Sequence, residues 1–93
     1  MEKTFIFVPT AFTPNGDGLN DQFKVVSQDI INIDMQIYSR WGERLFESKD
    51  QNYGWDGTYK GVRVEDGAYL YLIEAQTTDM KWHTLNGTVT VLR

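Results

Sequence analysis

The segment at residues 12–21, FTPNGDGLND, most constrains what this chain can fold into. It combines two glycines, one proline, two asparagines and two aspartates, and Leu19 is the one large apolar side chain after its first residue. Gly16 and Gly18 can adopt positive φ without a steric cost, while Pro14 fixes φ and has no N–H to donate. No helix or regular strand tolerates this mixture, so we expect a loop between two other elements.

Alternating apolar and polar residues on both sides of this loop predict strands, and no segment has the periodicity of a helix. Residues 4–8 and 23–26 are β-branched and aromatic runs. Residues 33–47 have the pattern of a hairpin that a Trp-Gly-Glu turn interrupts. Residues 68–76 give the strongest strand pattern. Because apolar residues occur on both faces of it, we expect this strand at the centre of a sheet.

Four dipeptides predict turns in the second half of the chain: Lys60-Gly61, Asp66-Gly67, Thr78-Asp79 and Asn86-Gly87. At Asn86-Gly87 we expect a tight turn or a bulge between two strands. The chain then has about seven or eight short strands at a spacing of about ten residues. This pattern predicts an all-β fold, an antiparallel immunoglobulin-like β-sandwich of about seven strands. The 93 residues suit one domain, which we place at residues 1–93.

Charge and composition argue against several classes of function. The net charge is −4 and the basic residues are dispersed, whereas binding to nucleic acid or to an anionic membrane draws on clustered Lys and Arg. The apolar runs are too short to span a membrane, so we expect no membrane insertion. The chain has no cysteine and therefore no disulfide.

The loop offers a candidate calcium site. Asn15, Asp17 and Asp21 place side-chain oxygens at alternating positions, and Leu19 can supply a backbone carbonyl between them. An EF-hand would require a bidentate glutamate where this chain has Val26. The alternative is a pair of consecutive turns whose Asx side chains accept hydrogen bonds from their own backbone. Both interpretations stay open, and calcium is the one cofactor that we consider.

Trp41 and Trp55 lie in predicted turns and allow two interpretations. Exposed aromatic side chains in loops can form a platform for sugar rings. Buried ones can close the end of a small sandwich. Because a domain of 93 residues needs apolar area for its core, we expect both tryptophans to be buried.

No set of residues predicts catalysis. His83 is the only histidine, and no serine or aspartate close to it in the sequence suggests a triad. The aspartates at 17, 21, 56 and 66 all lie in predicted turns, where their local hydrogen bonds explain them. We therefore expect that the protein is not an enzyme.

The last residues, 88–93, alternate cleanly and end in a cation. As structure they complete a sheet, and this is the interpretation that composition favours. As function, a terminal strand with an unpaired edge is a site where another protein can add a strand.

Five motifs follow one another along the chain: residues 12–21 (FTPNGDGLND), 37–43 (IYSRWGE), 54–61 (GWDGTYKG), 66–71 (DGAYLY) and 87–93 (GTVTVLR). In this order they resemble the gliding-motility-associated C-terminal domain, the type B sorting domain of the type IX secretion system of Bacteroidetes. The resemblance covers about residues 5–93. Five ordered motifs are much more specific than any one glycine-rich turn.

The resemblance implies a non-catalytic sorting signal that directs a large exported cargo protein through the periplasm and the type IX system to the cell surface or medium. It implies an immunoglobulin-like sandwich and two partners, the type IX translocon and an outer-membrane protein of the PorP/SprF family. We separately expect a monomer. The residues that match the family's motifs are Pro14, Asn15, Gly16, Asp17, Gly18, Asn20, Asp21, Arg40, Trp41, Gly42, Trp55, Asp56, Gly57, Asp66, Gly67, Tyr69, Gly87, Val89, Val91 and Arg93.

Since these motifs are spread along the chain, they can meet only after folding. We therefore expect the loop at residues 13–21 and the terminal strand to present a folded surface, which the secretion machinery recognises rather than a linear peptide. The alternative function is an adhesive immunoglobulin-like module of a surface protein, stabilised by calcium or binding glycans through an aromatic platform.

Overall fold

The structure, a computed structural model, describes residues 6–14 and 21–92, and the regular elements in these ranges are all strands. They are β1 (Ala11–Phe12), β2 (Ile30–Tyr38), β3 (Arg44–Ser48), β4 (Thr58–Tyr59), β5 (Val62–Arg63), β6 (Gly67–Thr77) and β7 (Trp82–Val91). Five of them form a mixed sheet in the order β1-β7-β6-β2-β3, and β4 and β5 form a separate pair. The all-β prediction is confirmed. Within the described ranges, no helix has the length and apolar character to cross a membrane.

The central position of β6 agrees with its sequence pattern. β6 lies between β7 and β2 and pairs antiparallel with both. Ile73 and Ala75 point to the covered face and are fully buried, whereas Glu74 between them is exposed. β2 and β3 form the predicted hairpin, with a register shift between Ile37 and Tyr38.

The expectation of a purely antiparallel arrangement is wrong at one edge of the sheet. β1 runs parallel to β7, and it pairs Ala11 with Thr90 and Phe12 with Val91. The chain reaches this edge from the layer that covers the sheet, and Pro9, which has no N–H for a ladder, lies in the crossing. The chain therefore joins the sheet only at Ala11, and β1 is short.

The covering layer has less regular pairing than the sequence predicts. In their described residues, the two strands expected at 4–8 and 23–26 are reduced to single antiparallel bridges, Phe7 with Val26 and Phe23 with Trp55. These bridged segments lie over one face of the five-stranded sheet. The core sits between the two layers, and its aromatic part joins Phe12, Phe23 and Trp55.

The expected turn or bulge at Asn86-Gly87 is also wrong, because β7 continues through it. Gly87 pairs with Tyr71 of β6. A Cβ atom at Gly87 would lie 2.9 Å from the Tyr71 hydroxyl oxygen and 3.1 Å from the ring. The glycine therefore makes room for a neighbouring tyrosine rather than for a change in chain direction.

Candidate functional site

The strand registers bring four separated segments to one end of the five-stranded sheet. Phe12, at the end of β1, and Gly67, at the start of β6, both pair with Val91 at the end of β7. Tyr38, at the end of β2, pairs with Leu70 near the start of β6. The described start of the loop after β1, the turn after β2, the segment before β6 and the end of β7 therefore lie together. A fifth segment, residues 56–57, adjoins them, because Asp56 lines a surface cavity together with Pro14 and Asp21. We call this end, made of residues 13–14, 21–22, 39–43, 56–57, 65–66 and 92, the motif end.

The turn between β2 and β3 holds Trp41 in solvent. Ser39 Oγ accepts hydrogen bonds from the backbone N–H groups of Trp41 and Glu43, each at 3.2 Å. Gly42 has a φ of +88°, and its N–H donates to the Ser39 carbonyl at 2.9 Å. The Trp41 side chain is 86% exposed, and the Arg40 guanidinium lies 5.9 Å from its ring centroid, within cation–π range. The expectation that Trp41 is buried is wrong because this turn projects beyond the paired strands.

Trp55, in contrast, is fully buried beneath the motif end, as expected. Its ring centroid lies 5.6 Å from that of Phe12 and 5.3 Å from that of Tyr69. The indole N–H donates to the Thr58 carbonyl at 2.9 Å. Asp56 Oδ1 accepts from the Thr58 backbone N–H at 3.1 Å and from its hydroxyl at 2.6 Å. The Trp-Asp-Gly motif thus fixes a turn over the core.

A surface cavity connects the exposed turn with the segment before β6. Arg40, Trp41, Glu65 and Tyr69 contribute to its lining. The Tyr69 hydroxyl donates to the Glu65 carbonyl, which fixes the segment against β6. Gly67 has a φ of +141°, and a Cβ atom there would lie 3.9 Å from Arg40 Nη2. The lining combines aromatic side chains, an arginine and a glutamate, and of these the aromatic residues and arginine are enriched in protein interfaces.

The described ends of the long loop meet the Trp-Asp-Gly turn. Pro14 and Asp21 line a second surface cavity together with Asp56. The other predicted loop residues and the C-terminal residue lie outside the described residues: Asn15, Gly16, Asp17, Gly18, Leu19, Asn20 and Arg93. The calcium prediction rests mainly on these residues and stays a prediction. Among the residues that the structure describes, no group of three or more His, Cys, Asp or Glu side chains could hold a metal ion.

Three residues of the last motif do not belong to this surface. Gly87 lies in the middle of β7 beside Tyr71, and Val89 and Val91 are fully buried in the core. These positions indicate that the three residues contribute to packing rather than to a contact surface. Gly57, with a φ of +80°, allows the turn that leads from Trp55 into β4.

His83 lies at the opposite end of the sheet from the motif end. Its Nε2 is 3.2 Å from the Thr77 hydroxyl, which donates to the Asp79 carboxylate. This hydrogen bond, followed by the one from the Lys81 backbone N–H, lowers the pKa of Asp79. The arrangement differs from a catalytic triad because the aspartate contacts the hydroxyl rather than the histidine, and because Thr77 is fully buried.

Sequence reasoning missed two residues that shape the motif end. Ser39 caps the Trp41 turn through its hydroxyl, and Glu65 lines the cavity beside Arg40. A serine two residues before an exposed turn residue is a recognisable capping pattern, so the role of Ser39 could be predicted from the sequence. Glu65 was not, because its position depends on the pairing of β6 with β2.

Comparison with known proteins assigns the family. No curated protein matches the chain. The family described as the CHU_C type IX secretion signal domain matches residues 6–91, which include the described part of the motif end apart from residue 92. The chain therefore belongs to the family of CHU_C type IX secretion signal domains.

Proposed function

We propose that the type IX secretion machinery recognises this domain through the folded surface of the motif end. Membership of the family makes the domain a sorting signal that interacts with this machinery and directs export through it. The convergence of the described ends of the loop after β1, the β2–β3 turn and the segment before β6 at one end of the sheet carries the proposal. Because no linear peptide contains these segments side by side, only the folded domain presents them together.

Arg40 and Trp41 are the contact residues that we propose as anchors. Tryptophan and arginine are the residue types that most often dominate the energy of an interface. Trp41 is 86% exposed, and hydrogen bonds to Ser39 already fix its turn, so little ordering is required on binding. The adjoining cavity, with Glu65 and Tyr69 in its wall, offers polar groups around the apolar ring.

Secretion of a reporter tests this proposal. The domain is fused behind a periplasmic fluorescent protein in a host with a type IX system, and release is measured for wild type and for Arg40→Ala/Trp41→Ala. We expect the variant to fold and its secretion to fall by at least about tenfold, because truncating a central anchor commonly weakens an interface by that factor or more. Ile31→Ala, an exposed apolar residue at the other end of β2, is the control and should be secreted normally. Wild-type secretion of the folded double variant would contradict the proposal.

The partner that we propose is an outer-membrane protein of the PorP/SprF family, acting with the translocon. The order of the five motifs supports this partner, because it resembles that of type B sorting domains. We further propose a monomeric, non-catalytic module, a single domain over residues 1–93, whose cargo reaches the cell surface or the medium. Deleting the gene for the barrel protein in the reporter strain should leave the fusion in the periplasm. Unchanged release in that strain would exclude this partner.

We also propose that the fold is a reduced immunoglobulin-like sandwich. In support, the two bridges that join Phe7 with Val26 and Phe23 with Trp55 have the arrangement of a minimal second sheet. Tyr69 lies near the start of β6, and its hydroxyl bonds to the backbone of Glu65, as in the tyrosine corner of such sandwiches. An experimental structure with residues 23–26 paired to both neighbouring segments would agree, and a different order of these segments would not.

Calcium binding by Asn15, Asp17, Leu19 and Asp21 is a further proposal, supported by the alternating oxygen ligands of the sequence. Titration of the purified domain with calcium, and of an Asp17→Asn/Asp21→Asn variant, tests it. The glycan-binding alternative is not favoured by the family; of the two tryptophans considered for a sugar platform, Trp55 is buried and Trp41 is exposed.

A further inference from the structure

Among the residues that the structure describes, none pairs with the outer edge of β7 over most of its length. β6 pairs with β7 from Trp82 to Val91 on one side. On the other side, β1 pairs only with Thr90 and Val91. Within residues 6–14 and 21–92, no other strand pairs with this side. We call residues 82–88 of this side the open edge.

The hydrogen-bonding groups of the open edge follow from the contacts of β1. The N–H of Thr90 donates to the Thr10 carbonyl at 2.9 Å, and the N–H of Leu92 donates to the Phe12 carbonyl at 3.0 Å. Because successive residues of a strand direct their N–H and C=O groups to opposite neighbours, the even-numbered residues of β7 all face this side. Thr84, Asn86 and Thr88 therefore direct their backbone N–H and C=O groups to the open edge.

The open edge lacks the features that usually prevent strand addition. Proteins protect long edges with lysine or other charged side chains, proline, bulges or a covering segment. Residues 82–92, WHTLNGTVTVL, contain no Lys, Arg, Asp, Glu or Pro, and the pairing with β6 runs without a register shift. Threonine and valine, which favour strands, dominate the second half of this segment. An uncharged edge on a chain of net charge −4 is a local exception to the character of its surface.

We infer that the open edge is a second contact site for the type IX machinery, which adds an extended segment of a partner protein as a strand beside residues 84–88. The added strand lies in line with β1 and pairs with the outward groups of Thr84, Asn86 and Thr88. A second copy of the domain is a poorer occupant, because two chains of net charge −4 repel each other. The inference rests on the sorting role of the domain, but it uses a different surface from the motif end.

Proline substitutions test the inference at single backbone groups. Thr84→Pro and Thr88→Pro each remove an N–H that faces the open edge. Neither substitution removes an N–H that donates to β6. Thr84→Ala and Thr88→Ala are matched controls that keep the N–H. In the reporter strain we expect the folded proline variants to be secreted at least about tenfold less than wild type, because a partner carbonyl loses its donor. The alanine controls should be secreted normally.

Three outcomes would overturn the inference. The first is wild-type secretion of the proline variants, with melting curves showing that they are folded. If proline prevents folding, Thr84→Lys/Thr88→Lys is tested instead, because lysine protects natural edge strands from strand addition. Normal secretion of this variant would also overturn the inference. The second is slow amide hydrogen exchange at Thr84, Asn86 and Thr88 in the purified domain, which would show that the chain itself covers the edge. The third is a dimer in sedimentation that these variants dissociate.

The same secretion assay distinguishes this inference from the proposal for the motif end. Normal secretion of Arg40→Ala/Trp41→Ala together with loss of secretion in Thr84→Pro would reject the motif end and retain the open edge. The reverse result would reject the open edge alone.

Discussion

Replacing Trp55 by alanine should remove most of the folding free energy, whereas the same change at Trp41 should remove almost none. Trp55 is 0% exposed and Trp41 is 86% exposed. Truncating a buried tryptophan costs about 3–5 kcal/mol. The Thr58 carbonyl, which accepts from the Trp55 indole at 2.9 Å, also loses its donor, at a cost of roughly 1–3 kcal/mol if it stays buried.

The Trp55→Ala loss is large against the stability of a domain this small. At about 0.05–0.15 kcal/mol per residue, a chain of 93 residues has a folding free energy of about 5–14 kcal/mol. A loss of about 4–8 kcal/mol therefore removes a large share of the folding free energy, and it unfolds the variant at 25 °C if the wild-type value lies in the lower half of this range. Trp41→Ala exchanges one exposed side chain for another, and its effect should stay within about 0.5 kcal/mol.

Urea unfolding followed by far-UV circular dichroism measures both effects. We expect the Trp41→Ala midpoint to lie close to that of wild type, and the Trp55→Ala midpoint to fall steeply or the transition to disappear. Trp55→Phe keeps a ring but loses the indole donor, so its midpoint should lie between wild type and Trp55→Ala. Equal losses for Trp41→Ala and Trp55→Ala would refute the reasoning, because they would place both rings in similar surroundings.

Three further predictions concern other positions. Gly54→Ala should destabilise the domain by about 1–3 kcal/mol, because the new Cβ would lie 2.6 Å from the Phe23 carbonyl oxygen; an unchanged urea midpoint would contradict this. Gly87→Ala should cost about 1–3 kcal/mol through its contact with Tyr71, and Tyr71→Phe should recover part of the loss in the double variant, which a double-mutant cycle measures. The lowered pKa of Asp79 means that its ionised form stabilises the fold. This contribution is present above the unfolded pKa of about 4 and is lost as pH falls through the lower folded value, so Asp79→Asn should flatten the fall in Tm between about pH 5 and pH 2; parallel curves would contradict the assignment.

Local patterns in the sequence predict the elements whose causes are local. The strand pattern of residues 68–76 correctly indicates the central strand, but the structure covers only one of its faces: Ile73 and Ala75 are buried, whereas Leu70 is 43% exposed. Lys60-Gly61 is a turn, and its φ values of 54° and 80° are those of a type I′ hairpin connection. In both cases the information lies within a few residues.

The wrong predictions concern residues whose surroundings depend on residues that are distant in the sequence. Gly87 has the sequence context of a turn, but Tyr71 on the adjacent strand explains it. Trp41 and Trp55 both lie in glycine-rich turns, yet only Trp55 belongs to the covering layer, where its ring packs on Phe12 and Tyr69 of the sheet. A single sequence does not give strand registers, and these decide which side of a turn is covered.

The motif end shows the same limit at the level of function. The motifs themselves are visible in sequence, and their order is sufficient to identify the family. Their meeting at one end depends on the pairing of Gly67 and Phe12 with Val91, which joins segments from both ends of the chain. The structure also distinguishes exposed motif residues such as Arg40 from buried ones such as Val89, a distinction that the sequence motifs do not contain.

The most direct test of the central claim asks whether secretion follows folding. Reporter fusions of wild type and Trp55→Phe are expressed in the type IX host at temperatures below and above the Tm of the variant, and release is measured at both. We predict that wild type is secreted at both temperatures and that Trp55→Phe is secreted only below its Tm, when the motif end is assembled. Equal release of the unfolded variant would show that the machinery reads a linear sequence, and it would contradict the recognition of a folded surface.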